Sequence, residues 1–465
     1  MTHALFARDA LLPTGWARNV RLQWDGTGRL TDVQADATPD PATPQATGPV
    51  IPGMPNLHSH AFQRAFAGLT EYRGQHAEGG HDSFWSWRTL MYRFANRITP
   101  TQLEAIATWL YTEMLLAGYT SVCEFHYVHH AEDGTPYADD TTLAQCLLRA
   151  AQATGIGLTL LPVLYQTSGF GATPPNEGQR RFIRRTDNML RLLETLLPLC
   201  QAHGARLGVA PHSLRAVPPD ALRELLAGLS AIDATAPVHI HIAEQTGEVD
   251  ACLAWSGQRP VEWLLNHAPV DRRWCLVHAT HMSEAEYARA AASGAVAGIC
   301  PSTEANLGDG LFDMPRWLQH GGAWGVGSDS HATVNAAEEL MLLEYGQRLQ
   351  RRQRNVLASS AQPQVATAMT LQAVQGGAQA SGRPVGGLAV GQQADLVELD
   401  AGHLALAGLS APDMLSAHVF ASHRTSAIQR VWVGGCEKKL ALALDDQAQA
   451  AMNFVQARTQ LLETT

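Results

Sequence analysis

VIPGMPNLHSH, residues 50–60, is where the chain changes character. Before it, ALFARDALL and NVRLQW read as short strands, and Asp25-Gly26 is a hairpin turn signal. After it, apolar runs of strand length alternate with longer helical stretches. Strands are expected at 50–58, 118–126, 156–164, 205–212, 237–243, 273–279, 294–301 and 323–329. Between the first two, Thr99, Pro100 and Gln102 form a helix start, and Leu103, Ile106, Leu110 and Met114 follow at helical spacing. Strands alternating with helices in this number predict an α/β chain of the (β/α)₈ barrel class, which typically takes about 250 residues. A doubly wound sheet fits the same alternation, so the choice rests on where the reactive residues fall.

Beyond residue 380 the alternation stops. GGLAVGQQADLVELD and AIQRVWVGG read as short strands with glycine turns. The expected organisation is therefore a small β-sandwich-like domain from residues 1–50 and 381–445, a barrel over 51–380, and a C-terminal helix over 446–465. With 465 residues, 46% of them apolar and 16% charged, the chain can bury a large core. A net charge of −10 argues against nucleic acid as a partner. The seven cysteines are odd in number, widely spread and without a C-x-x-C pair, which argues against a disulfide framework or a zinc knuckle. Arg8 and Asp9 interrupt the N-terminus where a signal peptide needs an apolar stretch. No segment has the length of a membrane span, and the chain reads as cytoplasmic.

The residues able to do chemistry track the C-terminal ends of the expected strands, the rim on which barrel enzymes build their sites. His58 and His60 close the first strand and His212 the fourth. His239, His241 and Glu244 lie at the end of the fifth, His278 ends the sixth, and Asp329 ends the eighth. Residues i and i+2 on a strand share a face, so His58 and His60 can reach one ion at about 2.0–2.1 Å. With His241 and Asp329 the set becomes three nitrogens and a carboxylate, a composition that suits one Zn²⁺, with Fe²⁺ the alternative. His239 shares the face of His241 and could replace it. Arg88 and Arg215 read equally well as carboxylate clamps or as surface pairs. His126, His129 and His130 read as loop packing, and Trp85 and Trp87 as core.

PNLHSH, HIHIAE, LVHAT and GSDSH, in that order, resemble the metal-site strands of the amidohydrolase superfamily. From about residue 4 to 435 the chain more narrowly resembles the N-formimino-L-glutamate deiminases, through NLHSHAFQRA, DSFWSWR, EFHYVHH, GLTLLPVLY, HSLRAV, VHIHIAEQ, RWCLVHATH and STEANLGDG. The resemblance implies hydrolysis of N-formimino-L-glutamate to N-formyl-L-glutamate and ammonia, in histidine degradation. It implies His58, His60, His241 and Asp329 as ligands of one divalent metal per chain. Asp329 would also take the proton of the attacking water, His278 would hydrogen-bond that water, and Glu244 would serve the leaving nitrogen. Gln63, Arg88, Tyr127, His212 and Arg215 would line the pocket of a small substrate with two carboxylates. A homodimer, and a glycine-rich lid at SGFGATPPNEG, are further expectations. The fourth strand, LGVAPHS, offers no lysine to bridge a second metal. The ending GGCEKKLALALDD departs from the family pattern. Two other readings fit the same barrel: a deaminase of a purine or pyrimidine base, and an inactive barrel that binds without catalysis.

Overall fold

β1 (His3–Leu12) and β2 (Gly15–Trp24) form an antiparallel hairpin whose register closes at Leu12 opposite Gly15. The Asp25-Gly26 turn leads to β3 (Leu30–Gln34), and the Asp25 carboxylate accepts from the backbone N–H of Thr27 and of Arg29. β4 (Val50–Pro52) then runs parallel to β1. The computed structural model describes residues 3–71, 84–422, 425–438 and 444–463, without the side chains of 84–86 and 444–445.

The barrel follows. Its strands are β5 (Met54–Ser59), β6 (Tyr119–His126), β7 (Gly157–Leu164), β8 (Arg206–Leu207), β9 (Ala210–Pro211), β10 (Val238–Ile242), β11 (Trp274–His278), β12 (Val296–Ile299) and β13 (Ala323–Val326). All neighbouring pairs are parallel, within one sheet from β5 to β9 and another from β10 to β13. Parallel bridges Val209–Val238 and Ser59–Asp329 join the two sheets at both seams and close the ring. Helices cover the outside, so β6 and β7 are buried at every position and their sequences run apolar rather than alternating. The helix Pro100–Leu116 starts as the sequence signals: Thr99 caps it and Gln102 completes the capping box.

Two expected strands are divided. The run 50–58 changes partners at Gly53: Val50–Pro52 pairs with β1, while Met54 onward pairs with β6. A Cβ at Gly53 would lie 2.2 Å from Thr120 Cγ2, so only glycine passes at this crossing between sheets. The run 205–212 breaks at Gly208, where a Cβ would meet Pro237 O at 2.6 Å.

Past the barrel, β14 (Leu396–Leu399), β15 (Ile428–Val433) and β16 (Cys436–Lys438) return to the first strands. Both chain ends thus share one seven-stranded sheet in the order β16-β15-β14-β4-β1-β2-β3. The terminal helix Leu444–Glu463 lies against Pro100–Leu116, with Trp109 and Phe454 ring centroids 6.2 Å apart. Residues 439–443 of the GGCEKKLALALDD stretch lie outside the described residues. All seven cysteines are free thiols, and six are buried.

Polar side chains hold the seam where the ring closes. Asn56 Nδ2 donates to Ser328 Oγ at 2.6 Å, while its Oδ1 accepts from the backbone N–H of His58 and of Ser328. Glu124, at the end of β6, accepts from Ala61 N, Ser59 Oγ and Tyr111 Oη and so fixes the turn after β5. Burial pushes the Glu124 carboxyl up to about 7.

Two outcomes follow from this seam. Asn56→Ala leaves buried partners unsatisfied and is expected to cost about 1–3 kcal/mol, read as a lower midpoint in thermal unfolding. Glu124 has a folded-state pKa above its unfolded value, so its contribution to stability is complete below pH about 4.5 and is lost as pH rises to about 7. Denaturant unfolding across that window should show wild type losing up to about 3 kcal/mol relative to Glu124→Gln, which stays neutral; parallel curves would refute it.

Candidate metal centre and active-site cavity

His58 and His60 project from the end of β5 into the barrel mouth, and His241 does so from β10. His58 Nε2 lies 3.1 Å from His60 Nε2 and 3.0 Å from His241 Nε2. Asp329 Oδ1 stands 3.4 Å from His58 Nε2 and 3.3 Å from His60 Nε2. Donor atoms bound to one ion at about 2.0–2.1 Å in tetrahedral geometry would have a similar spacing.

The donor chemistry fits a cation as well. His60 Nδ1 is 2.9 Å from the Phe125 carbonyl and His241 Nδ1 3.2 Å from the His212 carbonyl. Each Nδ1 must therefore carry the proton, which leaves a lone pair on each Nε2. Burial holds His58 down to about 3 and depresses His60 and His241 as well, so the rings are neutral. His60 and His241 thus turn lone pairs toward His58 Nε2 and Asp329 Oδ1, the donor set that a cation would join. Burial alone would raise the Asp329 carboxyl, but His58, His60 and His278 around it hold it well below the usual range. The four residues form a buried group whose donor atoms could hold one metal ion.

His278 sits beside this group, with Nε2 3.6 Å from Asp329 Oδ2 and 3.8 Å from Glu244 Oε1. Its Nδ1 faces Glu304 Oε1 at 3.3 Å. Burial opposes a charge on His278, yet Glu244, Glu304 and Asp329 together push it up to about 10. Burial raises the Glu244 carboxyl. The strand ends that present these groups are bent into the left-handed region, with φ of 50° at Ala243, 66° at His278 and 46° at Asp329. Such conformations cost free energy in non-glycine residues and cluster at functional sites.

The cavity above the metal-binding group is lined by Gln63, Arg88, Tyr127, His212 and Arg215, all expected from sequence, together with Glu244, His278 and Asp329. Gln63 Nε2 donates to Tyr127 Oη at 2.9 Å. Arg88 Nε donates to Tyr92 Oη. Arg215 Nη1 is buried with no hydrogen-bond partner among the described residues. Burial works against its charge, but the acidic and phenolic groups near it raise its pKa further.

His239 does not compete with His241. Both face the barrel interior, but His239 lies one layer deeper, where its Nε2 meets the Ala380 carbonyl at 2.8 Å. His129 and His130 bond the carbonyls of Val163 and Ile183, and His126 packs its ring against His129. Trp87 lines the cavity, and the side chain of Trp85 lies outside the described residues. Sequence reasoning missed Tyr92, Tyr165 and Glu304. Tyr165 immediately follows the end of β7, so the strand-end rule could have found it. Tyr92 is one helical turn after Arg88 in Phe84–Ala95.

Comparison with known proteins agrees with this architecture. The model of the Amidohydrolase family matches residues 50–437, and that of the N-terminal domain of formimidoylglutamate deiminase HutF matches residues 2–45. The chain is 54% identical to a formimidoylglutamate deiminase of Pseudomonas aeruginosa, over 90% of each chain. It is 26% identical to an 8-oxoguanine deaminase of the same species, over 87% of this chain and 85% of that one. A crystal structure of an amidohydrolase from Brucella melitensis superposes with a TM-score of 0.92 at 46% identity, covering 99% of this chain and 100% of that one. An adenosine deaminase from Xanthomonas campestris, solved with bound zinc, shares the fold at a TM-score of 0.79 and 22% identity, over 99% of this chain and 98% of that one. The chain belongs to the amidohydrolase family, on the branch of the formimidoylglutamate deiminases.

Proposed function

We propose that the chain hydrolyses N-formimino-L-glutamate to N-formyl-L-glutamate and ammonia, a step of histidine degradation. The observation that carries this reading is one cavity joining a donor set that could hold a metal to Arg215, whose buried Nη1 has no hydrogen-bond partner among the described residues. The relative at 54% identity, named a formimidoylglutamate deiminase, supports the substrate.

His58, His60, His241 and Asp329 would hold the ion, Zn²⁺ by the nitrogen-rich donor set, with Fe²⁺ the alternative. Bound there, a divalent cation supplies Lewis acidity that makes water nucleophilic near neutral pH. Asp329 keeps Oδ1 against the histidine nitrogens and turns Oδ2 toward His278, so Oδ2 is the base placed to take the proton of the attacking water. His278 hydrogen-bonds the same water and steadies charge on Asp329. Glu244 pairs as a carboxylate with the protonated formimino nitrogen, takes the remaining proton from the oxygen added to carbon, and delivers it to nitrogen as the carbon–nitrogen bond breaks, while the proton on Asp329 is released with the ammonia. The raised pKa of its buried carboxyl suits that transfer. Oxygen from water stays on the formyl carbon and nitrogen leaves as ammonia.

Arg215 binds one substrate carboxylate through the guanidinium edge that lacks a partner. Arg88, Gln63, Tyr127 and His212 complete the polar lining. Among the described residues no helix is long and apolar enough to cross a membrane. Free buried thiols accord with a reducing cytoplasm, and a homodimer completes the reading.

Zinc-loaded protein is expected to release ammonia from N-formimino-L-glutamate and not from guanine or cytosine. Silence on the first compound with turnover of a base would replace this reading by base deamination. Chelation should abolish turnover and zinc restore it. Arg215→Ala is expected to raise KM about 10- to 100-fold, the loss of a charge-assisted hydrogen bond, with a smaller change in kcat. Asp329→Asn should lower kcat by a factor of about 10² or more in protein confirmed to retain metal.

A further inference from the structure

Residue 179 belongs to the loop after β7, beyond the glycine-rich stretch 168–178, and is a wholly buried glutamine. Its Oε1 accepts from the backbone N–H of Asn176 at 2.9 Å. A carbonyl oxygen must occupy that position, so the amide orientation is set and Nε2 faces the other way. There Nε2 donates to Tyr165 Oη at 2.7 Å and to Tyr92 Oη at 3.3 Å. Tyr92 Oη also accepts from Arg88 Nε at 2.5 Å. Both tyrosines line the cavity.

A phenol oxygen that accepts from protein donors still has its own hydrogen to place. Neither hydroxyl donates to a protein acceptor among the described residues. Both tyrosines line the cavity, so an acceptor bound there is within the space these hydrogens can address. The Tyr165 ring stands 4.6 Å from His212, and His212 5.0 Å from the ligand His241, so Tyr165 lies one ring beyond the metal-binding group. Tyr92 and Tyr165 are also among the groups close enough to Arg215 to raise its pKa. Gly178 lets the loop approach: a Cβ there would lie 2.8 Å from Tyr92 Cδ2.

We propose that Gln179 is a positioning residue that aims the Tyr92 and Tyr165 hydroxyls, as hydrogen-bond donors, at the substrate carboxylate bound beside Arg215. Gln179 itself touches no substrate; it acts by taking up the acceptor side of both phenols. The inference rests on the deiminase reading for the identity of the substrate, while the anion subsite can be tested without turnover.

The test is calorimetric binding of glutarate, a dicarboxylate without the formimino group, to the zinc-loaded protein. Gln179→Glu keeps the acceptor for Asn176 N–H but turns both phenol hydrogens toward itself. It is expected to weaken glutarate binding about tenfold, as is the double variant Tyr92→Phe/Tyr165→Phe. Adding Gln179→Met to the double variant should then change Kd less than twofold, because no hydroxyl remains to be aimed. In turnover of N-formimino-L-glutamate the same variants should raise KM and leave kcat within about threefold. A purely structural role predicts wild-type binding for Gln179→Glu. That result, or an additive effect of Gln179→Met on the double variant, overturns the proposal. Wild-type protein that binds glutarate in a Gln179-dependent manner yet releases no ammonia would overturn deimination and support the subsite.

Discussion

The site depends on a short length of parallel backbone pairing between the end of β5 and Asp329. Asp329 N donates to the His58 carbonyl at 3.0 Å, and His60 N donates to the Asp329 carbonyl at 3.3 Å. These bonds close the barrel and set the first two histidines beside a carboxylate far away in sequence. The approach is tight. A Cβ on Gly327 would lie 2.8 Å from His58 Cβ, so the strand before Asp329 can come this close only as glycine. Asn56, Ser328 and Glu124 then tie the turns on either side. A barrel left open at this seam would still have its histidines but no common point for them.

From that point outward, charge is arranged by depth. The imidazoles of the metal-binding group are neutral because burial denies them protons. His278, one position further round the rim, is surrounded by Glu244, Glu304 and Asp329 and takes the opposite state. Above them the lining turns cationic and phenolic, with Arg88, Arg215, Tyr92 and Tyr165. A substrate with a cationic head and carboxylate tail meets matching potentials along the same cavity. A neutral heterocycle would leave Arg215 Nη1 buried and unpaired, at the cost that such groups carry.

Much of this was legible in the sequence because barrel strands advertise their ends. His58, His60, His241, His278 and Asp329 each follow an apolar run, and a parallel strand buried on both faces has to be such a run. The capping box at Thr99 was legible for a similar reason: its bonds are local. What could not be read was tertiary. Gly53 looks like a residue within one strand, and only the neighbouring Thr120 shows why the chain changes sheets there. Periodicity could not separate His239 from His241, because it reports the face and not the depth. Gln179 carries no signal of its own, since its role comes from tyrosines on two other elements.

The contrast between those two histidines shows how the fold makes a metal ligand. His239 has the same residue type, strand and facing direction as His241. At its depth a backbone carbonyl, that of Ala380, reaches Nε2 and satisfies it. At the depth of His241 the carbonyl of His212 reaches Nδ1 instead, and Nε2 is left facing His58 Nε2 at 3.0 Å. Satisfying Nε2 from the backbone makes a structural histidine; satisfying Nδ1 leaves Nε2 available to a cation. For His60 and His241, the ability to offer Nε2 to a metal is therefore a consequence of where the carbonyls fall.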